Sequence, residues 1–127
     1  MIRCKTCKVK KPVSEFHKHP LTKTGLFAYC KACSAYATWK LNLRLKYGLS
    51  LEQYDAMSVA QLGVCAICGE IDPHGKRLSV DHNHETGQVR ALLCNQCNVG
   101  LGIFKDSSRR LTAAARYLEY HSQRKSL

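Results

Sequence analysis

The eight cysteines constrain this chain more than any other feature. They fall as four CxxC pairs, Cys4/Cys7, Cys30/Cys33, Cys65/Cys68 and Cys94/Cys97, with none left over. The start, MIRCKTCKVK, has no apolar segment behind its positive charges, so no secretory signal is expected and the compartment is read as reducing. In that setting paired thiols read as thiolate zinc knuckles rather than a disulfide framework. Two four-cysteine zinc sites follow, with 22 residues between the CxxC pairs of the first and 25 between those of the second. Segments this short cannot bury a sufficient core. Metal binding, worth about 10–16 kcal/mol in small zinc modules, therefore has to supply much of the folding free energy.

Charge narrows the class of partner. The formal net charge is +11, and two four-thiolate zinc sites would bring it to about +7. Residues 1–50 hold eleven lysines and arginines against Glu15 alone, whereas residues 51–127 hold nine against eight acids. A basic arm that neutralises phosphates, joined to a nearly neutral working domain, is the expected arrangement, and DNA the expected partner. No apolar run is long enough to span a membrane, so a soluble, cytoplasmic protein without a membrane partner is expected.

Three helices are legible. Tyr36, Trp39, Leu43 and Tyr47 lie on one face of a segment from Ala35 to Tyr47 that Gly48 ends, which predicts a connecting helix with Trp39 packed inward. Ser50 and Gln53 fit a capping box for a second helix that Gly63 stops, with Leu51, Tyr54 and Met57 on its buried side. Asp106 or Ser107 can cap a third, in which Leu111, Ala114, Ala115 and Leu118 form an apolar stripe, and the tail from Ser122 is expected to fray.

The chemistry concentrates in the second cysteine module. Arg77–Asp81 reads as a short strand, Glu85–Gly87 as a turn and Gln88–Cys94 as the return strand. The knuckle Cys94–Cys97 follows, and Asn98 can then start a helix, giving a β-β-α order. A carboxylate from Asp81 and the amide oxygen of Asn98 would make a sparse, open site for a hard divalent cation such as Mg²⁺. Alternation along the strand sends His82 away from that site, where a neutral imidazole suits a general base acting on water. Arg90 has two readings, a bidentate phosphate clamp or a solvent-facing cation. Asn83 and Asn95 are read as turn and knuckle residues, with a role for either in orienting His82 left open. His17, His19, His74 and His121 are read as surface residues, because four cysteines already fill the first tetrahedron.

These motifs resemble the phage recombination endonuclease VII family of HNH, or ββα-metal, nucleases. The resemblance is carried by Cys65-Ala-Ile-Cys68, by Val80-Asp81-His82-Asn83-His84-Glu85-Thr86-Gly87, and by Val89-Arg90-Ala-Leu-Leu-Cys94-Asn-Gln-Cys97-Asn98 with the following Gly-Leu-Gly. It extends from about Lys46 to Tyr120. It implies zinc on Cys65, Cys68, Cys94 and Cys97, and catalytic Mg²⁺ or Mn²⁺ on Asp81 and Asn98. It further implies His82 as general base, His84 as a phosphate-contacting electrophile, and 5′-phosphate and 3′-hydroxyl products. A phage or prophage protein acting in the bacterial host cytoplasm would follow. The family's best-known member cuts branched DNA as an intertwined dimer and has a further C-terminal domain; this chain instead carries an added N-terminal module on Cys4, Cys7, Cys30 and Cys33. Branched and duplex DNA therefore both stand as substrates, and monomer and homodimer as assemblies.

The expected fold is a small zinc-stabilised α+β protein, with a treble-clef-like ββα-metal core and flanking helices. Its expected divisions are a zinc module over residues 1–36, a connecting helix over 37–48, the nuclease domain over 49–106, and a C-terminal helix and tail over 107–127. The alternative is a non-catalytic zinc-finger regulator that binds nucleic acid. A third reading, cross-braced knuckles that bind only protein, fits poorly with the basic N-terminal half.

Overall fold

A computed structural model of the chain describes residues 1–123. It separates into two compact units, Met1–Tyr54 and Asp55 onward. Most of the tail expected to fray, residues 124–127, lies outside the described residues. Among those residues no helix is long and apolar enough to cross a membrane.

The first unit is built from two minimal hairpins and a helix. Strands β1 (Ile2–Arg3) and β2 (Lys10–Lys11) pair antiparallel around the first CxxC, as do β3 (Phe16–Lys18) and β4 (Leu26–Cys30). Cys4, Phe16 and Cys30 form the core, with Ile2, Leu26 and Cys33 packed on it. Six side chains around one metal-ligand cluster cannot hold a domain together, in keeping with the expectation that zinc supplies the rest.

Helix α1 runs from Lys31 to Tyr47 and so begins four residues before the predicted Ala35. The physical reason is the knuckle itself: Cys30 takes the extended conformation of an N-cap (φ −68°, ψ 160°), and the helix starts at the next residue. A thiolate there also meets the positive end of the helix dipole. Leu43 is buried, and Trp39 packs edge-to-face on Tyr54 with ring centroids 5.0 Å apart, so the inward reading of Trp39 holds. Gly48 closes the helix at φ +66°, its N–H donating to Arg44 O.

Helix α2 (Leu51–Ala60) opens with the predicted capping box. Gln53 N–H donates to Ser50 Oγ at 3.1 Å, and Ser50 N–H donates to Gln53 Oε1 at 2.8 Å. Gly63, at φ +71°, donates its N–H back to Ser58 O at 2.8 Å and turns the chain out of the helix.

The second unit contains the β-β-α order read from the sequence. Strands β5 (Ser79–His82) and β6 (Val89–Leu93) form an antiparallel hairpin, and α3 (Asn95–Ile103) packs on both. Leu78, Val80, Leu92 and Leu93 form its apolar centre beside Cys65 and Cys94. The Gln61 side chain ties the exit of α2 to this sheet. Its Nε2 donates to Val64 O and Leu92 O, and its Oε1 accepts from Leu92 N–H, all at 2.9 Å.

Helix α4 (Ser108–Ser122) is capped by Ser107, whose Oγ accepts from Arg110 N–H at 3.2 Å. Its predicted stripe is only partly covered. Leu111 and Ala114 are half-buried, whereas Ala115 and Leu118 are exposed.

Candidate metal centres and active site

Each cysteine set gathers into one cluster. The Sγ atoms of Cys4, Cys7, Cys30 and Cys33 lie within 4.8 Å of one another, and so do those of Cys65, Cys68, Cys94 and Cys97. Four converging thiols, two buried and two more open in each set, match the donor set and spacing of a closed tetrahedral zinc site. Backbone N–H groups already point at the sulfurs. Cys30 N–H donates to Cys4 Sγ at 3.2 Å, Ile67 N–H to Cys65 Sγ and Cys97 N–H to Cys94 Sγ, both at 3.4 Å.

That pattern polarises the thiols. The Cys30 N–H, outweighing burial, lowers the Cys4 pKa to about 6. Burial raises that of Cys65, but the N–H groups of Cys68, Cys94 and Ile67 together outweigh it and bring the value to about 6. Cys33 is pushed up to about 12, first because it shares its proton with Cys30. Cys97 is pushed up to about 12 by burial and then by its contact with Cys94. Each cluster thus offers ionised sulfur to an incoming cation, with neighbouring thiols holding the protons that binding would release.

In both units the second CxxC opens a helix. Cys94 is the N-cap of α3 (φ −65°, ψ 159°), as Cys30 is of α1. The helix expected to begin at Asn98 therefore begins at Asn95, and Asn98 sits one turn in, half-buried, its N–H donating to Cys94 O at 3.0 Å. Residues that hold the sulfur cluster thereby set the axis of the helix bearing Asn98.

Asp81 lies at a break in the hairpin register. Val80 pairs with Leu92 and His82 with Val89, so the pairing slips by one residue at Asp81. Regular alternation would turn Asp81 away from the side that buries Val80, yet Val80 and Asp81 are both buried. An irregularity of this kind re-aims a side chain. Both oxygens of the buried carboxylate accept from Arg90: Nε donates to Oδ2 at 2.6 Å and Nη2 to Oδ1 at 3.0 Å. Nη2 also donates to Asp106 Oδ2 at 3.1 Å, so Arg90 bridges two acids. These carboxylates, Asp81 first, raise the Arg90 pKa still further. Asp106 and its neighbour Lys105 reach this position through left-handed backbone, φ +53° and +57°, a conformation that costs a non-glycine residue about 1–2 kcal/mol.

Arg90 therefore serves Asp81 and Asp106 while its side chain stays 38% exposed at the cavity, a bridging role that the sequence reading did not offer. The missed signal was cross-strand: Asp81 and Arg90 are opposite charges in one hairpin, and opposite charges are favoured across strands. Asp106 carried no signal beyond its capping potential, because its bond to Arg90 joins residues 16 apart in sequence.

His82 is half-buried, and its ring centroid lies 4.6 Å from that of the exposed His84. Between and beyond them, Asn83 is a turn residue. Its Oδ1 accepts from the N–H groups of Glu85 (2.8 Å) and Thr86 (3.1 Å), in keeping with its reading as a turn residue. An open cavity of about 600 Å³ adjoins the hairpin, lined by Asn83, His84, Glu85, Arg90, Gly102, Lys105 and Asp106. His84 and Arg90 line it; His82 is in ring contact with His84, and Asp81 is bonded to Arg90.

A carboxylate has about four lone-pair positions, of which Arg90 uses two, and a remaining carboxylate lone pair is the kind of hard donor a divalent cation takes.

Residues 40–120 match the model of the recombination endonuclease VII family. The chain is 42% identical to the Gene 59 protein of Mycobacterium phage D29 over 89 residues, 69% of this chain and 54% of that one. It is 39% identical to the Gene 59 protein of Mycobacterium phage L5 over 82 residues, 64% of this chain and 50% of that one. It thus spans about half the length of these relatives. The crystal structure of the β-β-α-Me type II restriction endonuclease Hpy99I overlaps 94% of this chain and 65% of its own, at 25% identity and a TM-score of 0.41. Family assignment rests on the sequence match rather than on that overlap. The match takes in the β5–β6 hairpin, the cysteine-capped α3 and every residue around Asp81 and His82 described above, and the chain belongs to the recombination endonuclease VII family.

Proposed function

We propose that the chain is a metal-dependent DNA endonuclease of the ββα-metal type, in which His82 is the general base and Asp81 and Asn98 hold one Mg²⁺ or Mn²⁺. The observation that carries this reading is the hairpin–helix unit within the family match: a buried carboxylate at a register slip, with paired imidazoles beside an open polar cavity. Two four-cysteine zinc sites hold the frame.

The substrate is DNA, either duplex that is nicked or cut, or branched. Its phosphate meets Lys105 and the exposed part of Arg90 at the cavity wall. His84, exposed at the cavity, donates a hydrogen bond to a phosphate oxygen. His82 accepts a proton from a water whose oxygen bonds to phosphorus, and the bond from phosphorus to the 3′ oxygen breaks. The products are a 5′-phosphate and a 3′-hydroxyl, the latter protonated from solvent. The cation, when bound, supplies charge stabilisation to the crowded phosphate and to the departing oxygen. Arg90 keeps Asp81 oriented through two bonds and leaves the outer lone pairs of that carboxylate available.

Supercoiled plasmid incubated with the zinc-loaded protein and Mg²⁺ or Mn²⁺ tests the proposal, with His82→Ala as control. Expected are nicked or linear products from the wild type, and a loss of rate of about 10²–10⁴ with DNA binding retained in His82→Ala. Intact plasmid across metals and pH, with binding preserved, would instead favour the zinc-finger regulator.

A further inference from the structure

The outward face of the β3–β4 hairpin carries rings that neither the core nor the nuclease site uses. Alternation along β4 turns Leu26, Ala28 and Cys30 inward and leaves Phe27 and Tyr29 outward, 43% and 48% exposed. On β3, Phe16 enters the core while His17 stays exposed. Just past the strand, His19 stacks edge-to-face on Phe27, with centroids 4.5 Å apart and planes at 73°. Its Nδ1 accepts from Leu21 N–H at 3.2 Å, which holds the ring in place.

Exposed aromatics clustered on one small face mark a binding surface. What they bind follows from what is and is not offered. The other edge of β4 is engaged at its centre, where Lys5 N–H donates to Ala28 O at 2.9 Å, so ring faces are presented rather than a free strand edge for another chain to extend. Residues 1–50 carry eleven cations against one acid, which selects a polyanion. Polyanionic protein would use the charge and leave the ring faces idle. Duplex DNA hides its base faces in the stack. A single strand offers both phosphates and open base faces, and base–aromatic stacking beside basic side chains is how such strands are held.

We propose that His17, His19, Phe27 and Tyr29 form a stacking platform for unpaired bases of single-stranded DNA, with the neighbouring lysines on its phosphates. The choice of DNA rests on the nuclease reading; the platform itself does not. It makes DNA with an unpaired segment, such as a flap, frayed nick or branch, the favoured substrate class.

The full zinc-loaded chain is tested by fluorescence anisotropy against labelled oligo(dT) and a perfect duplex of matched length, without added divalent cation and without chelator. Phe27→Ala combined with Tyr29→Ala should weaken oligo(dT) binding by about tenfold or more and duplex binding by less than about threefold. Phe27→Tyr combined with Tyr29→Phe, which keeps both rings, should bind as the wild type does. In parallel, ultraviolet crosslinking of wild-type protein to bromodeoxyuridine-substituted oligo(dT), mapped by mass spectrometry, should give adducts within residues 17–29. The map decides the matter if the alanine variant fails to retain zinc. Unchanged oligo(dT) binding by a zinc-retaining alanine variant, equal losses on single strand and duplex, or adducts mapping only elsewhere would overturn the platform. Tighter binding of oligo(rU) than of oligo(dT) would overturn its assignment to DNA. Oligo(dT) binding with these ring effects but no plasmid cleavage sinks the nuclease reading and spares the platform; the reverse pattern sinks only the platform.

Discussion

Arg90 grips both carboxylate oxygens of Asp81, at 2.6 and 3.0 Å, across a slip in the hairpin register. The pair joins the two strands next to the cavity, and the same guanidinium continues to Asp106. Asp81 is therefore positioned before any cation arrives, and Arg90 is the charge a cation has to share that carboxylate with.

Replacing Arg90 by Gln should separate these two effects. Folding stability should fall by only about 1 kcal/mol, less than for a fully buried pair, because the Arg90 side chain is 38% exposed and screened by solvent. Mn²⁺ affinity of the DNA-free protein, read by calorimetry, should rise roughly tenfold, a change of about 1.4 kcal/mol, since the dication becomes the main counter-charge of Asp81. Unchanged Mn²⁺ affinity in Arg90→Gln would count against Asp81 as a cation ligand.

Zinc retention should follow the thiol ionisation. Cys4 and Cys65 have pKa values lowered to about 6, against an ordinary thiol near 9. A group lowered on folding adds stability that is complete above its unfolded value and is lost as pH falls through its folded one. The contribution from these two thiols therefore declines between about 9 and 6, and zinc, which competes with the same protons, extends retention further down. A colorimetric zinc assay at stepped pH should find both ions held at pH 7 and released with a midpoint at or below about 6. Release that is already complete above pH 7 contradicts this.

Cys94→Ser should be more damaging than loss of one ligand suggests. Cys94 is at once a sulfur donor, the N-cap of α3 and the residue whose carbonyl receives Asn98 N–H. Zinc content should fall by about one ion per chain, and cooperative thermal unfolding of the second unit should disappear, as expected where metal binding contributes much of the folding free energy. A variant that unfolds like the wild type would show that the apolar centre suffices without metal.

Gln61→Ala removes three hydrogen bonds at once and takes the side-chain partner from Leu92 N–H and Val64 O, while Leu92 O keeps the bond from Ala66 N–H. A loss of about 2–3 kcal/mol in denaturant unfolding of the zinc-loaded protein is expected. Less than about 0.5 kcal/mol, the usual size of a neutral surface change, would mean that water replaces the amide at no cost.

Much of this molecule was readable in advance because its signals are local. A CxxC spacing sets which thiols can meet, Ser50 and Gln53 cap each other across one turn, and Gly48 and Gly63 adopt the left-handed backbone that ends a helix. Helix starts were misread in both modules for a local reason as well: cysteine is an uncommon N-cap, and its suitability here comes from being a thiolate donor fixed in extended conformation. Leu118 was misread because an apolar stripe states what could be buried, while its coverage depends on which other elements pack against the helix.

The amino-acid order by itself determined the two four-cysteine clusters, the β-β-α sequence of elements and the residue types gathered around Asp81 and His82, since all of these follow from spacing and periodicity along the chain. Only the tertiary structure decided that Arg90 serves Asp81 and Asp106, that Asn83 Oδ1 is bonded within its turn, and that Phe27 and Tyr29 face outward beside His19. Those outcomes depend on a one-residue slip in strand register and on which face of a hairpin the sulfur cluster buries. Both are settled by packing between segments distant in sequence, where no local preference of the residues involved could choose between the alternatives.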